Sequence, residues 1–215
     1  MERIHSRSFL IREFLVLFVV LPLSLALPYL LILKVAFTLI GFIYVVYILH
    51  STEEVEYKVK GNLNWKHFWK RFVITSFFVV LSTVVYMYLV EPSKLFYVPL
   101  KRPLLFLIIL FSYTLLSAWP QEILFRTFFF SRYQSLFNDE RLLIFTNAVL
   151  FSLAHLFFRN ALVLIITLIG GLIFAITYLK FRSTTLVTIE HAIYGNWLYA
   201  VGLGYMLDFP GFEPA

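Results

Sequence analysis

The residues able to do chemistry are few and stand among apolar neighbours. The first set is Pro120-Gln121-Glu122-Ile123-Leu124-Phe125-Arg126. Glu122 and Arg126 are four residues apart, so on a helix they share a face and can pair. The second set, Phe151-Ser152-Leu153-Ala154-His155, brings an imidazole. The third, Glu190-His191-Ala192-Ile193-Tyr194-Gly195-Asn196, brings a carboxylate, an imidazole and an amide. A carboxylate or imidazole can take a proton from water, and a second imidazole or an amide can donate to a developing oxyanion. The combination therefore suits hydrolysis. The same groups could hold a metal, since His and Glu both ligate zinc. No HExxH pair is present, and the two imidazoles fall on separate segments, so a metal ion is possible but not required. Cysteine is absent, which removes disulfides, thiolate nucleophiles, iron–sulfur clusters and sulfur-ligated zinc.

The elements that must position these groups follow from composition. Of 215 residues, 61% are apolar, 20% aromatic and 14% charged, with a mean hydropathy of +0.86. A soluble domain has about 45–50% apolar and about 25% charged residues. This balance excludes a disordered chain, a coiled coil and a water-soluble globule. A bilayer-crossing helix needs about 20 mostly apolar residues. Candidate runs are Phe14 to Leu33, interrupted by Pro22 and Pro28; Val35 to Leu49, a short span or re-entrant piece after Lys34; and Phe72 to Val90. Leu104 to Trp119 follows and continues through Pro120 to near Phe137, and then come Leu142 to Phe158, Ala161 to Leu179 and Thr184 to Leu207. The expected fold is all-α, a polytopic transmembrane helix bundle of about seven spans. Residues 1–99 form N-terminal spans with a basic cytoplasmic loop at 50–71, and residues 100–215 form the domain that carries the chemistry. Arg3 and Arg7 before an apolar run, with Ser24-Leu25-Ala26 inside it, imitate a signal peptide, but the run continues to Leu33 and reads as an uncleaved span.

Basic residues set the orientation. With the N-terminus in the cytoplasm, twelve Lys and Arg fall on that side (Arg3, Arg7, Arg12, Lys58, Lys60, Lys66, Lys70, Arg71, Arg132, Arg141, Lys180, Arg182) and five on the other (Lys34, Lys94, Lys101, Arg102, Arg159). That bias places the N-terminus in the cytoplasm; the plasma membrane is the expected location of such a polytopic chain. No basic face on a soluble element is present, so nucleic acid is not an expected partner. An ionisable group at a span centre costs about 2.5–3.5 kcal/mol on insertion scales, so each needs a partner or a function. Residues 122 and 155 are equidistant from the Asn138-Asp139 turn, so an antiparallel hairpin would bring Glu122 and His155 to one depth. With Arg132 at the cytoplasmic surface, Glu122 lies about 15 Å inward, and His191, counted from Arg182, about 14 Å. The competing readings are structural: Glu122 and Arg126 as a self-satisfied ion pair, His155 as a packing imidazole, Glu190 and His191 as a local pair, and Asn196, Asn147 and Ser152 as interhelical glue. Gly170-Gly171 allows close helix packing.

Taken in order on successive late spans, these three sets resemble the motifs of the CPBP family of intramembrane endopeptidases, which includes Rce1-like CAAX prenyl proteases and bacteriocin-processing and immunity proteins. The family pattern is Glu-Glu-x-x-x-Arg, Phe-x-x-x-His and His-x-x-x-Asn. Glu122 and Arg126 match the second Glu and the Arg, Phe151 and His155 the second motif, and His191 the third. The resemblance implies that an acid and His155 activate water while His191 and an amide stabilise the oxyanion. Gln121 stands at the first Glu, and an amide cannot act as a base. The Asn comes one residue late, at Asn196, with Gly195 in its place. A five-residue step turns Asn196 off the His191 face unless the helix is locally π-like or broken. Glu122 is then the base and Glu190 the reserve, with Gln121, Arg126 and Asn196 supporting. The implied substrate is a membrane-associated or lipidated protein or peptide, with membrane lipids as surroundings. The alternative is a catalytically inactive relative acting as an immunity or scaffold protein. A transporter would show repeats or paired broken helices, and neither is present. Glu122 and Arg126 beside the imidazoles argue against a haem carrier.

Overall fold

The computed structural model describes residues 6–52 and 65–207, and among them every regular element is helical. Helix α1, Arg7–Leu25, starts on the Ser6 side chain, which accepts from the Phe9 N–H at 3.4 Å. It passes through a π-helical turn, Val16–Val20, just before Pro22. Proline offers no N–H and crowds the preceding turn, and a wide turn takes up that defect without ending the helix. Beyond Leu25 the chain leaves the helix around Pro28 and re-enters at Leu31. The carbonyls exposed at this break are taken by cations: Lys34 Nζ donates to Leu25 O (2.6 Å) and Arg159 Nη2 to Ala26 O (2.9 Å). The first span therefore covers Arg7–Leu25 rather than Phe14 to Leu33, because Pro28 ends it. Helix α2, Leu31–Thr52, is a full 22-residue helix rather than a short run, because Lys34 reaches a carbonyl and need not interrupt it.

Helix α3 is Trp65–Val90, so residues 65–71, expected in the polar loop, are helical; the remainder of that loop from residue 53 lies outside the described residues. Helix α4, Pro103–Leu136, runs 34 residues through Pro120. Two π-helical turns, Tyr113–Ala118 and Ile123–Phe128, flank that proline. Helices α5 (Glu140–Leu153), α6 (Ala161–Phe181) and α7 (Thr184–Val201) follow. Six helical segments, Arg7–Leu25, Leu31–Ser51, Trp65–Val90, Pro103–Leu136, Glu140–Phe158 and Ala161–Phe181, are long and apolar enough to cross a membrane. Helix α7 is outside that set, because Glu190, His191 and Asn196 dilute its apolar character. Large apolar side chains such as Leu31, Leu89, Leu104, Phe111 and Leu116 remain outside the packed core, as hydrocarbon would require. The chain is an integral membrane protein.

Contacts divide the chain into two units, Met1–Tyr57 with Gln121–Thr184, and Lys58–Pro120 with Thr185–Ala215. In the first, Phe18 is buried among Phe125 (5.4 Å between ring centroids), Phe129 (5.3 Å) and Tyr133 (5.8 Å). Such edge-on aromatic pairs add about 0.5–1.5 kcal/mol each beyond burial. Helices α5 and α6 are capped by Asp139 and Asn160, whose side chains accept from Arg141 N and Leu162 N. They pack closely at Gly171, where a Cβ would stand 2.9 Å from Ala148 Cα. Arg132 is not at a surface. It is 3% exposed, and its Nε donates to Glu13 Oε2 at 2.9 Å. Tyr133 and Tyr44 donate to the same carboxylate (3.0 and 2.5 Å). A buried charge persists only where such partners satisfy it, so the depth measured from Arg132 does not hold. In the second unit, Val98, Ile109 and Tyr199 form a core joined by Tyr113, Phe106 and Tyr205. Trp197 donates to Thr83 Oγ1 (2.9 Å), and Phe72 stacks on Tyr194.

Candidate active site

In the first unit, Glu122 and Arg126 are both fully buried, with Arg126 Nε 3.3 Å from Glu122 Oε2. The pair lies where α4 widens into its second π-helical turn. The Arg126 guanidinium lies over the Phe151 ring (4.7 Å) and near that of Phe174 (5.6 Å), and its Nη2 approaches Gly171 O (3.5 Å). A guanidinium over ring faces is held by their negative quadrupoles. Gln121 is half-buried beside this pair in sequence.

His155 lies just past the end of α5, where the helix gives way to a 3₁₀ turn, Leu156–Phe158. Its Nδ1 is 2.7 Å from Phe151 O. A carbonyl only accepts, so Nδ1 carries the hydrogen, and in the neutral form of the ring the lone pair is at Nε2. The ring also packs on Phe151 at 4.9 Å. The hairpin of α4 and α5 has the expected antiparallel register. Asn147 Nδ2 donates to Phe125 O (2.7 Å), Phe125 meets Phe151 edge-on (5.2 Å), and Arg126 covers Phe151. Glu122 and His155 therefore lie toward the same end of that hairpin, away from the turn.

In the second unit, Glu190 is fully buried and its two oxygens each accept from Arg71 Nη2 at 2.9 Å. Tyr194 donates to Oε1 at 3.3 Å. Arg71, expected in the loop, is instead the seventh residue of α3. His191 is 4% exposed, and its Nε2 is 2.9 Å from the Tyr113 hydroxyl. Asn196 Nδ2 donates to Thr114 Oγ1 at 3.0 Å. Helix α7 is regular through Gly195, with neither break nor π-helical turn. Gly195 is small for a reason: a Cβ there would collide with the ring and hydroxyl of Tyr113. Tyr113 and Thr114 open the first π-helical turn of α4, so one turn holds both His191 and Asn196.

Glu122, Arg126 and His155 thus belong to one unit, and Glu190, His191 and Asn196 to the other. Among the described residues, no group of three or more His, Asp or Glu stands close enough to hold a metal. Sequence reasoning missed Tyr113, Arg71 and Glu13. Each lies in a helix with nothing local to mark it, and its partner is 78, 119 and 119 residues away in turn.

Residues 103–198 match the family described as type II CAAX prenyl endopeptidase Rce1-like, a protease family. The matched segment contains Glu122, Arg126, His155, His191 and Asn196. No curated protein and no solved structure matches the chain. Over residues 103–198 the chain is therefore similar to the Rce1-like type II CAAX prenyl endopeptidases.

Proposed function

We propose that this chain is an intramembrane endopeptidase that hydrolyses a peptide bond in a membrane-associated or lipidated protein or peptide. Water held by Glu122 and His155 attacks the scissile carbonyl. Glu122 accepts the one proton released while Nε2 of His155 holds the water, and His191 donates to the oxyanion. The proton on Glu122 passes to the leaving amine as the oxyanion collapses and the C–N bond breaks. Arg126 orients the Glu122 carboxylate and balances its charge. The observation that carries this reading is the fully buried Glu122–Arg126 pair at a π-helical turn, in a hairpin that sends Glu122 and His155 toward one end. π-helical turns recur at functional sites because they turn side chains off the regular helical face. Glu190, clasped by Arg71 and Tyr194, serves folding in this reading and is not the base. The N-terminus is cytoplasmic, and substrate arrives from that side or laterally from the bilayer.

The test is cleavage of a prenylated CAAX-type peptide, and of the same peptide without its lipid, by the full chain in liposomes. Glu122→Gln and His155→Ala should each lower kcat by at least about 10²-fold while leaving the helical circular dichroism unchanged. Loss of cleavage in Glu190→Gln but not in Glu122→Gln would reassign the base. A second reading, an inactive immunity or scaffold protein, draws on Gln121 at the first Glu of the motif. It predicts no cleavage by the wild type, and restored cleavage by Gln121→Glu.

A further inference from the structure

Two features of the second unit meet at one residue. The residue four places after His191 shares its helical face. Here that residue is Gly195, and the space a side chain would take is filled by the Tyr113 phenol. The same phenol oxygen is 2.9 Å from His191 Nε2. Its ring is fixed from behind by Tyr199, with centroids 5.2 Å apart and planes at 68°. We propose that Tyr113 is a positioning residue for His191: its hydroxyl, seated in the volume Gly195 leaves open, fixes the orientation of the imidazole and places the ring proton on Nδ1. This rests on His191 acting as the oxyanion donor.

In the proposed pairing the phenol O–H donates and the unprotonated Nε2 of the imidazole accepts; a hydroxyl can fill either role, and the ring tautomer decides which. Nε2 receives that bond, so the donor His191 can offer elsewhere is Nδ1–H. An imidazole without a fixed partner populates both tautomers, and only one presents a hydrogen to a given acceptor. Asn196, whose amide nitrogen is committed to Thr114, is placed differently. At Gly195 the polar group beside His191 comes from α4, through the Tyr113 hydroxyl.

The decisive variant is Tyr113→Phe, which keeps the ring against Gly195 and removes only the hydroxyl. Two readouts on the full chain in bilayers are needed. In nitrogen-15 histidine spectra, with His191→Gln identifying the signals, wild-type His191 should show a protonated Nδ1 and a hydrogen-bonded, unprotonated Nε2. Tyr113→Phe should shift Nε2 and mix the tautomers; spectra identical to wild type overturn the proposal. In cleavage of the prenylated peptide, Tyr113→Phe should lose about 10- to 100-fold in kcat with little change in KM, as removal of an orienting partner does. Full activity of Tyr113→Phe alongside an inactive Glu122→Gln sinks the inference and leaves the proposed function standing. Full activity of Glu122→Gln sinks the proposed function, and the spectra then judge the Tyr113–His191 pairing alone. Gly195→Ala should reproduce the Tyr113→Phe spectrum by displacing the phenol. If Gly195→Ala does not fold, Gly195→Ala with Tyr113→Ala should, because the clash is then gone; a wild-type spectrum from that double variant also overturns the proposal.

Discussion

Glu122 and Arg126 carry two jobs, and substitutions can separate them. Both are fully buried, so removing either partner takes the ion-pair counter-charge from the other in a buried position. Arg126→Ala is expected to destabilise the protein by about 3–5 kcal/mol, read as a lowered denaturant midpoint in mild detergent. The paired replacement Glu122→Leu with Arg126→Met removes both charges at similar volume, and stability should return to near wild type. Cleavage should not return, because the proposed base is gone. A double variant that both folds and cuts would remove Glu122 from the chemistry. This pair was legible from sequence because its members are four residues apart on one helix. Tyr113, Arg71 and Glu13 were not, since bonds across 78 to 119 residues leave no local pattern. His155 lies between these cases. The sequence marks it, but only the end of α5 explains its tautomer: the Phe151 carbonyl freed there takes the Nδ1 hydrogen.

Helix boundaries and spacing are set by small residues and prolines, only some of which read clearly. The run through Pro120 was expected as continuous helix and is so; the π-helical turn Tyr113–Ala118 precedes Pro120 as Val16–Val20 precedes Pro22, but the turn Ile123–Phe128 beyond it has no signature in the residue types. Pro28 ends α1 where its position suggests, whereas Lys34 does not end α2, because a lysine can send its amine to a carbonyl and leave its stem in apolar surroundings. Gly170 and Gly171 look alike in sequence and differ in place. An added Cβ at 171 meets Ala148 backbone at 2.9 Å, which cannot yield, while one at 170 meets the Phe174 ring at 3.3 Å, which can turn. Gly171→Val should therefore destabilise the α5–α6 hairpin by about 1–3 kcal/mol, and Gly170→Ala by clearly less. Thermal unfolding of the two variants in the same detergent tests the ranking, and equal losses would contradict it. Because Arg126 Nη2 also approaches Gly171 O, Gly171→Val should impair cleavage as well.

At the scale of the whole molecule, the family match covers 103–198, yet part of what holds that segment comes from far earlier in the chain. Glu13, on α1, accepts from Arg132 and Tyr133 of α4 and from Tyr44 of α2, and Phe18 fills the centre of a ring cluster made by α4. Without α1, Arg132 would lose the Glu13 carboxylate in a buried position, and Phe125, Phe129 and Tyr133 would lose the ring between them. Breaking a buried ion pair costs about 3–5 kcal/mol, a large share of the 5–15 kcal/mol that folded proteins have in hand. A fragment of residues 100–215, although it contains every residue of the three motifs, is thus expected not to give a cooperative thermal transition in detergent. Co-expression with residues 1–60 should restore the transition, and the same rescue with Glu13→Ala in the supplied piece should fail. Glu13→Ala in the full chain should lower stability by a similar amount without changing KM in whatever population stays folded, since the carboxylate accepts from Arg132, Tyr133 and Tyr44 in the first unit. Cooperative unfolding of the isolated fragment would show instead that the N-terminal helices are peripheral to the domain and that Arg132 finds compensation within it.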